Sequence, residues 1–385
     1  MRKIEFIVFF GTFFTVYGLT NFYIFVRGWQ ALQGLDNLKP WYIGIFLVVS
    51  LSFIAGRVLE RFWLSYLSDA LVWIGSFWLA AMLYFFLIVT LLDLVRIVNH
   101  FIPFFSSISA DYIKIKHFMA AGAIGVVFIT IIGGHINASI PRVKTLNLEI
   151  RKNSRLDSLK IAMASDIHLG TIIGRKRFCR IVDKINNLNP DIVLLPGDIV
   201  DEDLGSVIKD NLGEALKSIR SKYGTYAITG NHEYIGGAEP ACSYLSDHTV
   251  HMLRDSSFLV DSSFYIVGRE DRSSRQFAGK KRKSLSELVS DINFSLPVIL
   301  MDHQPFQLEE AMQNKIDLQL SGHTHHGQLW PFNYITNAIY ELSWGYLKKG
   351  NTHYYVSSGA GTWGPPVRTG NHPEVICINL RFIKG

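Results

Sequence analysis

The chain opens with long apolar runs that show no polar period. Phe6–Val26, Trp41–Leu59, Ala70–Leu92 and Phe118–Ile140 are apolar nearly throughout, and a helix needs roughly 20 such residues to cross a bilayer core. The first and third runs carry no charge. Arg57, near the end of the second, can extend its head to the interface; the fourth holds His135 and Asn137 near its end. The pattern predicts an all-α transmembrane region of about four helices. The first run is too long for a cleaved signal segment, and further spans come after it.

From Leu159 the pattern changes to short apolar runs, each ending in a polar cluster. Leu159–Ala164 leads into Ser165-Asp166-Ile167-His168, Asp191–Pro196 into Gly197-Asp198, and Gly224–Thr229 into Gly230-Asn231-His232. Leu296–Met301 leads into Asp302-His303, and Ile316–Leu320 into Ser321-Gly322-His323-Thr324-His325. Runs this short and this apolar suit buried strands. Helix-like stretches at Arg175–Asn187 and Gly205–Ser221 separate the first of them. Such alternation implies a largely parallel α/β arrangement, with ligands beyond the carboxyl ends of the strands. All five clusters fall there. The chain therefore reads as a helical membrane region over 1–140 and one α/β domain over 141–385.

Charge sharpens this division. Only 15 of the first 140 residues are charged, against 55 of the remaining 245, and a soluble domain carries about a quarter. The net charge of +6 is spread over both parts, too thinly to call for nucleic acid. The three cysteines form no close pair, so neither a disulfide framework nor a zinc knuckle is indicated and a reducing compartment is expected. Lys and Arg favour one set of flanks: Arg2, Lys3, Arg57, Arg61, Arg142, Lys144, Arg151, Lys152, Arg155 and Lys160 outnumber Arg27, Lys39, Arg96, Lys114 and Lys116 by ten to five. That bias places the N-terminus and, after four spans, the large domain in the cytoplasm, on an inner or plasma membrane. No span is charged at its centre, which favours an anchor over a transporter.

The clusters carry the chemistry. In Asp166-x-His168 the side chains at i and i+2 of an extended backbone point the same way and can reach one ion; His323-x-His325 repeats the spacing. Carboxylate, imidazole and amide donors suit Mn, Fe or Zn, whereas Ca and Mg favour oxygen-only cages. Asp166, His168, Asp198, Asn231, His303, His323 and His325 make seven candidate ligands. These are too many for one tetrahedral zinc with an open position, and right for two ions sharing a carboxylate. The glycines before Asp198, Asn231 and His323 are expected to permit tight turns.

The strings SDIHLG, PGDIVD, TGNHEY, MDHQP and SGHTHHGQ, with the tail YYVSSGAGTWGPPVRTGNHPEV, resemble the calcineurin-like metallophosphoesterase superfamily in its membrane-associated bacterial branch, over roughly residues 159–380. The resemblance implies a four-layer α/β/β/α sandwich around a dinuclear site. On that pattern Asp166, His168 and His325 hold one divalent ion, Asn231, His303 and His323 the other, and Asp198 bridges them. It further implies phosphoester hydrolysis by in-line attack of a metal-bridging hydroxide, with His232 protonating the leaving oxygen. Candidate substrates run from phosphomonoesters and phosphodiesters to lipid-linked esters such as a nucleotide–diacylglucosamine pyrophosphate. The alternative is a metal-binding regulatory or scaffolding membrane module without turnover. Glu202 and Thr229 stand where protein phosphatases of the superfamily have arginines, which disfavours phosphoprotein substrates, and His326 stands where bacterial relatives usually have glycine.

Three neighbouring features stay open. Arg272, Arg275 and Lys280, Lys281, Arg282 and Lys283 form a basic stretch that is either an arm for anionic lipid headgroups or a solvated loop. Arg368 either pairs with a substrate phosphate or serves the structure. The aromatic segment Leu329–Tyr346 is assigned to core packing, with a place beside the site and at the bilayer interface as the other reading.

Overall fold

The computed structural model describes residues 3–102 and 112–383, with side chains from 11–102 and 113–383. The chain divides into two compact units at His135/Ile136.

Among the described residues, the first unit holds the helices α1 (Lys3–Ala31), α2 (Lys39–Phe62), α3 (Tyr66–Phe101) and, up to His135, α4 (Tyr112–Ala138). Ser65 starts α3, its hydroxyl accepting from the Ser68 N–H in a capping box. Among the described residues, Asp36–Phe62, Tyr66–Phe101 and Ile113–Ala138 are long and apolar enough to cross a membrane. Phe14, Leu19, Trp41, Ile45, Val126 and Phe128 are exposed on these helices. Apolar surface this continuous marks contact with lipid or protein, not with water. The first three expected spans fall within α1, α2 and α3, and the fourth runs two residues past the end of α4 at Ala138; Arg2, counted among the positive flanks, lies outside the described residues. Asn137 belongs to the second unit, its side-chain amide donating to the carbonyls of Arg368 and Asn371 at 2.9 and 2.8 Å. This accounts for the polarity at the end of the fourth apolar run.

The second unit holds β1 (Arg142–Ile150), β2 (Ser158–Met163), α5 (Arg175–Asn187), β3 (Ile192–Pro196), α6 (Leu204–Lys209), β4 (Thr225–Ile228), α7 (Asn231–Gly236), α8 (Ala238–Asp247) and β5 (Val250–Met252). It continues through β6 (Ser256–Val260), β7 (Phe264–Gly268), α9 (Ser274–Phe277), α10 (Leu285–Leu288), β8 (Val298–Met301), α11 (Glu309–Gln313) and β9 (Leu318–Ser321). Its last elements are α12 (Phe332–Ile339), β10 (Gly345–Lys349), β11 (Thr352–Val356) and β12 (Glu374–Phe382). Two six-stranded sheets run β1-β12-β2-β3-β4-β5 and β10-β11-β9-β8-β7-β6. Alternate residues, among them Ile161, Met163, Ile192, Leu194, Ile299, Met301, Leu318 and Leu320, meet in one core between the sheets, as the two-residue period of strands requires. On the outer face of the first sheet, α5 buries Phe178, Ile181, Val182 and Ile185, a stripe at helical spacing. On the outer face of the second, Leu285, Leu288 and Ala311 pack on Val298, Leu300 and Tyr354. The result is a four-layer α/β/β/α sandwich.

The sheets are largely parallel, as expected: β1-β12, β2-β3-β4-β5 and β7-β8-β9-β11 are parallel, while β12 lies antiparallel to β2, and β6-β7 and β10-β11 are antiparallel pairs. One expectation is corrected. The helix expected over Gly205–Ser221 breaks into α6 and a 3-10 turn at Leu212–Ser218, because Asn211 adopts a left-handed φ of 49°.

Candidate metal centre

The five clusters come directly after β2, β3, β4, β8 and β9. Asp166, Asp198 and Asn231 come from the first sheet, and His303, His323 and His325 from the second. The backbone there is not the extended one expected for Asp-x-His. Asp166, His168, Asp198, His323 and His325 have φ of 51°, 53°, 51°, 73° and 45°. Such left-handed residues cost about 1–3 kcal/mol each and persist where surrounding structure fixes them. Gly197 makes a tight turn at φ 88°. Gly322 serves a different need: a Cβ there would lie 2.2 Å from Asp166 Oδ2, so it permits close approach, and Gly230 likewise clears Asp198 Oδ1.

Candidate ligand atoms gather in three overlapping groups, each within 4.8 Å: Asp166–His168–His325, His168–Asp198–His232 and Asp198–His303–His323. His323 and His325 therefore turn to different groups, despite their spacing. His168 Nε2 and His325 Nε2 face each other at 3.0 Å, with Asp166 Oδ1 3.7 Å from the latter. On the other side His303 Nε2 lies 3.3 Å from Asn231 Oδ1, and His323 Nδ1 lies 2.7 Å from the same oxygen. Asp198 Oδ2 stands between the groups, 3.9 Å from His168 Nε2 and 3.0 Å from His303 Nε2. Its other oxygen accepts the His232 N–H at 2.9 Å.

This donor set fits divalent ions. Asp166 Oδ2 and His168 Nδ1 are buried without a hydrogen bond. His303 Nδ1 donates to the Pro196 carbonyl at 2.8 Å, leaving Nε2 to face inward, the orientation such a contact imposes on a metal-binding imidazole. Burial, then the nearby His303 ring, pushes His323 down to about 3. Burial, then His168 and Arg368, holds His325 well below the ordinary histidine range. Both rings therefore offer neutral lone pairs. Burial alone would raise Asp198, but the rings of His303, His232 and His168 hold it well below the usual carboxylate range. His303 is raised well above its ordinary value, burial being outweighed by Asp198.

His232 is buried, its Nδ1 3.3 Å from Asp201 Oδ1 and 3.8 Å from Glu202 Oε1. Burial is outweighed by Asp198, Asp201 and Glu202, which raise it to about 9. Its ring meets His168 edge-on at 4.6 Å and half-exposed Trp363 at 5.6 Å.

Several surroundings differ from expectation. Arg368 is wholly buried. Its Nε and Nη2 donate to the Gly361 carbonyl at 3.1 and 2.7 Å, Nη1 donates to Asn371 Oδ1, and Nη2 lies 3.2 Å from His325 Nδ1. Its donors are spent on the protein, so the substrate reading is withdrawn; Arg368 positions the His325 loop. In the basic stretch, Arg282 Nη1 donates to Asp302 Oδ1 at 3.0 Å, and Arg272 donates to Gln307 and stacks over Phe306. Those two are folded back rather than free. The aromatic segment is divided: Leu329 is buried and Leu342 packs on the core of the second sheet, but α12 buries no residue, and Trp330, Phe332, Tyr334, Ile335 and Ile339 are exposed. Behind α12, Tyr340 meets His323 at 6.1 Å, so the segment borders the centre. His326 is tied to it, 2.9 Å from Ser343 Oγ.

The residue that the sequence reading missed is Glu233. Its buried carboxylate accepts the N–H groups of Asp198, Ile199, Val200 and Gly230 at 3.1, 2.7, 2.9 and 2.7 Å. Its place three residues after Gly230 at the start of α7 is the capping-box spacing, and that signal was present in the sequence.

Strand-end carboxylates and imidazoles, with the Asn231 amide, make a donor set suited to divalent metal ions. Residues 159–327 match the calcineurin-like phosphoesterase family model, and over that segment the chain is similar to that family. A metallophosphoesterase of Campylobacter jejuni is 29% identical over 377 residues, 95% of this chain and 96% of the relative. A transmembrane protein with metallophosphoesterase domain from Danio rerio is 30% identical over 64% of this chain and 59% of its own length. The UDP-2,3-diacylglucosamine pyrophosphatase of Chlamydia trachomatis is 25% identical over 64% of this chain and 92% of its own length.

Proposed function

We propose that the protein is a membrane-anchored hydrolase of lipid-linked phosphoesters, with two divalent ions held by Asp166, His168 and His325, and by Asn231, His303 and His323, across Asp198. The position of Asp198 Oδ2 between His168 and His303 carries this reading. Ions held by these residues would supply Lewis-acid chemistry to a phosphoester and a more acidic water. His232, held protonated by Asp198, Asp201 and Glu202, supplies the proton to the leaving oxygen. Glu233 fixes the loop of Asp198 through four backbone N–H groups. The lipid part rests on the exposed apolar face of α12 beside His323 and on the name of the chlamydial relative. The Lys/Arg bias of the flanks supports a cytoplasmic catalytic domain.

The test is metal-dependent turnover of the full chain with Mn, on bis(p-nitrophenyl) phosphate and on phosphoesters of lipids in vesicles. Release of product from the lipid ester, abolished together with metal content in Asp198→Asn, is the expected result. An Asp198→Asn variant that stays active and fully metallated overturns the bridging role. Wild type that binds ions but turns over neither substrate favours the scaffolding module.

A further inference from the structure

A cavity of about 510 Å³ lies within the helical unit, among α1 to α4. Its charged lining comes from Arg27 near the end of α1, Asp93 and Arg96 near the end of α3, and Lys116 near the start of α4. These positions belong to one end of the helix bundle, the end opposite the C-terminus of α4. Arg27 Nη2 lies 2.6 Å from Asp93 Oδ2, and Arg96 Nη1 lies 3.0 Å from Asp93 Oδ1. Lys116 donates to Gln33 Oε1 at 3.0 Å. Two guanidinium groups thus share one carboxylate in the lining, which leaves an excess of positive charge at this end without counting Lys116.

The rest of the lining is apolar. Tyr42, Phe46, Trp78, Phe85, Met119 and Ala123 form its wall. Trp78 precedes Asp93 by fifteen residues on α3, which at about 1.5 Å per residue puts it roughly 22 Å from the charged end. The cavity is therefore long, cationic at one end and greasy along its length. Its volume is that of an ordinary ligand pocket. Free phosphate would leave the apolar length unused, and a neutral hydrocarbon would leave the cationic end uncompensated.

We infer that this cavity binds an anionic lipid, its phosphate or carboxylate head on Arg27, Arg96 and Lys116 and one hydrocarbon chain along Trp78 and Phe85. The head would exchange part of the Asp93 pairing for charge-assisted hydrogen bonds from the guanidinium groups. This site is separate from the metal centre and does not depend on the proposed hydrolysis.

The test is native mass spectrometry on the full chain in detergent. It is titrated in turn with phosphatidylglycerol, phosphatidylcholine and inorganic phosphate. One phosphatidylglycerol per chain, held about tenfold more tightly than phosphatidylcholine, is expected. Arg27→Gln with Arg96→Gln should erase that preference, and Arg27→Lys with Arg96→Lys should keep most of it. Ala123→Trp, which fills the shaft, should weaken lipid binding about tenfold, with Ala120→Leu as the milder filling if the first does not fold. Metal content and melting of each variant report folding independently of lipid. Equal binding of both lipids to wild type and variants would reduce the cavity to a groove for bulk lipid and overturn the proposal. Competition by inorganic phosphate at the concentration of the lipid would overturn the role of the chain.

Discussion

Replacing Glu233 with glutamine removes one charge and one acceptor from a buried position where both carboxylate oxygens are in use. Each oxygen accepts two backbone N–H groups: Oε1 those of Ile199 and Val200, Oε2 those of Asp198 and Gly230. Burial, then the nearby Asp198 carboxylate, raises the carboxyl against the pull of the N–H groups; with four donors facing it, however, a carboxylic O–H would find no acceptor, so the geometry keeps the group ionised. A glutamine keeps one carbonyl oxygen and turns its NH₂ toward two N–H groups, whichever way the amide is placed. Two buried donors then lack a partner, at about 1–3 kcal/mol each, so roughly 4 kcal/mol is lost. Total stability of a domain is about 5–15 kcal/mol, and for a chain of this size each kcal/mol moves melting by about 2–4 °C. Glu233→Gln should therefore melt roughly 10 °C lower. Because the same N–H groups hold the Asp198 loop, it should also retain fewer ions per chain. Thermal melting with and without chelator, beside metal analysis, measures both. A variant that melts within about 1 °C of wild type and keeps its metal would refute the reasoning.

Other predictions concern separate parts of the protein. His232→Ala should keep most metal yet lose about 10²–10⁴ in turnover on a poor leaving group, with a smaller loss on p-nitrophenyl esters; equal losses on both would argue against proton donation. With ions chelated, the raised His232 (about 9 against an ordinary 6.5) favours the folded state by roughly 3 kcal/mol below pH 6.5. That contribution should vanish as pH climbs through 9, and the fall in melting over this window should be shallower in His232→Ala. On the exposed face of α12, Ile335→Asp should reduce turnover of a vesicle-borne ester while sparing bis(p-nitrophenyl) phosphate; parallel loss on both would assign α12 to folding. Burial holds the Cys242 thiol up at about 12 and raises Cys377 as well, so maleimide at neutral pH should label folded protein at Cys179 and all three sites only after unfolding.

Much of this molecule was legible because local pattern and final structure agree. Uncharged runs became helices, and α5 matched its stripe from Arg175 to Asn187. Apolar runs became β2, β3, β4, β8 and β9, since continuous apolarity is what a strand between two layers needs. Other features depend on contacts far along the chain. Nothing local tells β12 to enter between β1 and β2. Arg368 looks like a phosphate ligand until Gly359, Gly361 and Asn371 are seen to enclose it. The aromatic segment after His325 was assigned inward on hydrophobicity alone, yet α12 faces outward, and apolar content cannot distinguish core from membrane or ligand contact. The i, i+2 argument for His323 and His325 failed because left-handed φ at both residues replaces the alternation of an extended strand.

The centre is also a statement about how the two sheets dock. Asp166, Asp198 and Asn231 ride on one sheet, and His303, His323 and His325 on the other, so no single sheet holds either group of donors. Asp166 and His325 approach one another across the core that the two sheets share, in which Met163, Leu194, Met301 and Leu320 are buried. Gly322 makes the same point at atomic scale. A Cβ at that position would strike Asp166 Oδ2 at 2.2 Å and Ser165 Oγ at 2.6 Å, so the loop of one sheet closes onto the loop of the other with no room for a methyl group. Ions held across this seam would stabilise the docked state by mass action. Core packing, the absence of a side chain at Gly322 and ligand binding are then one coupled equilibrium rather than three separate properties.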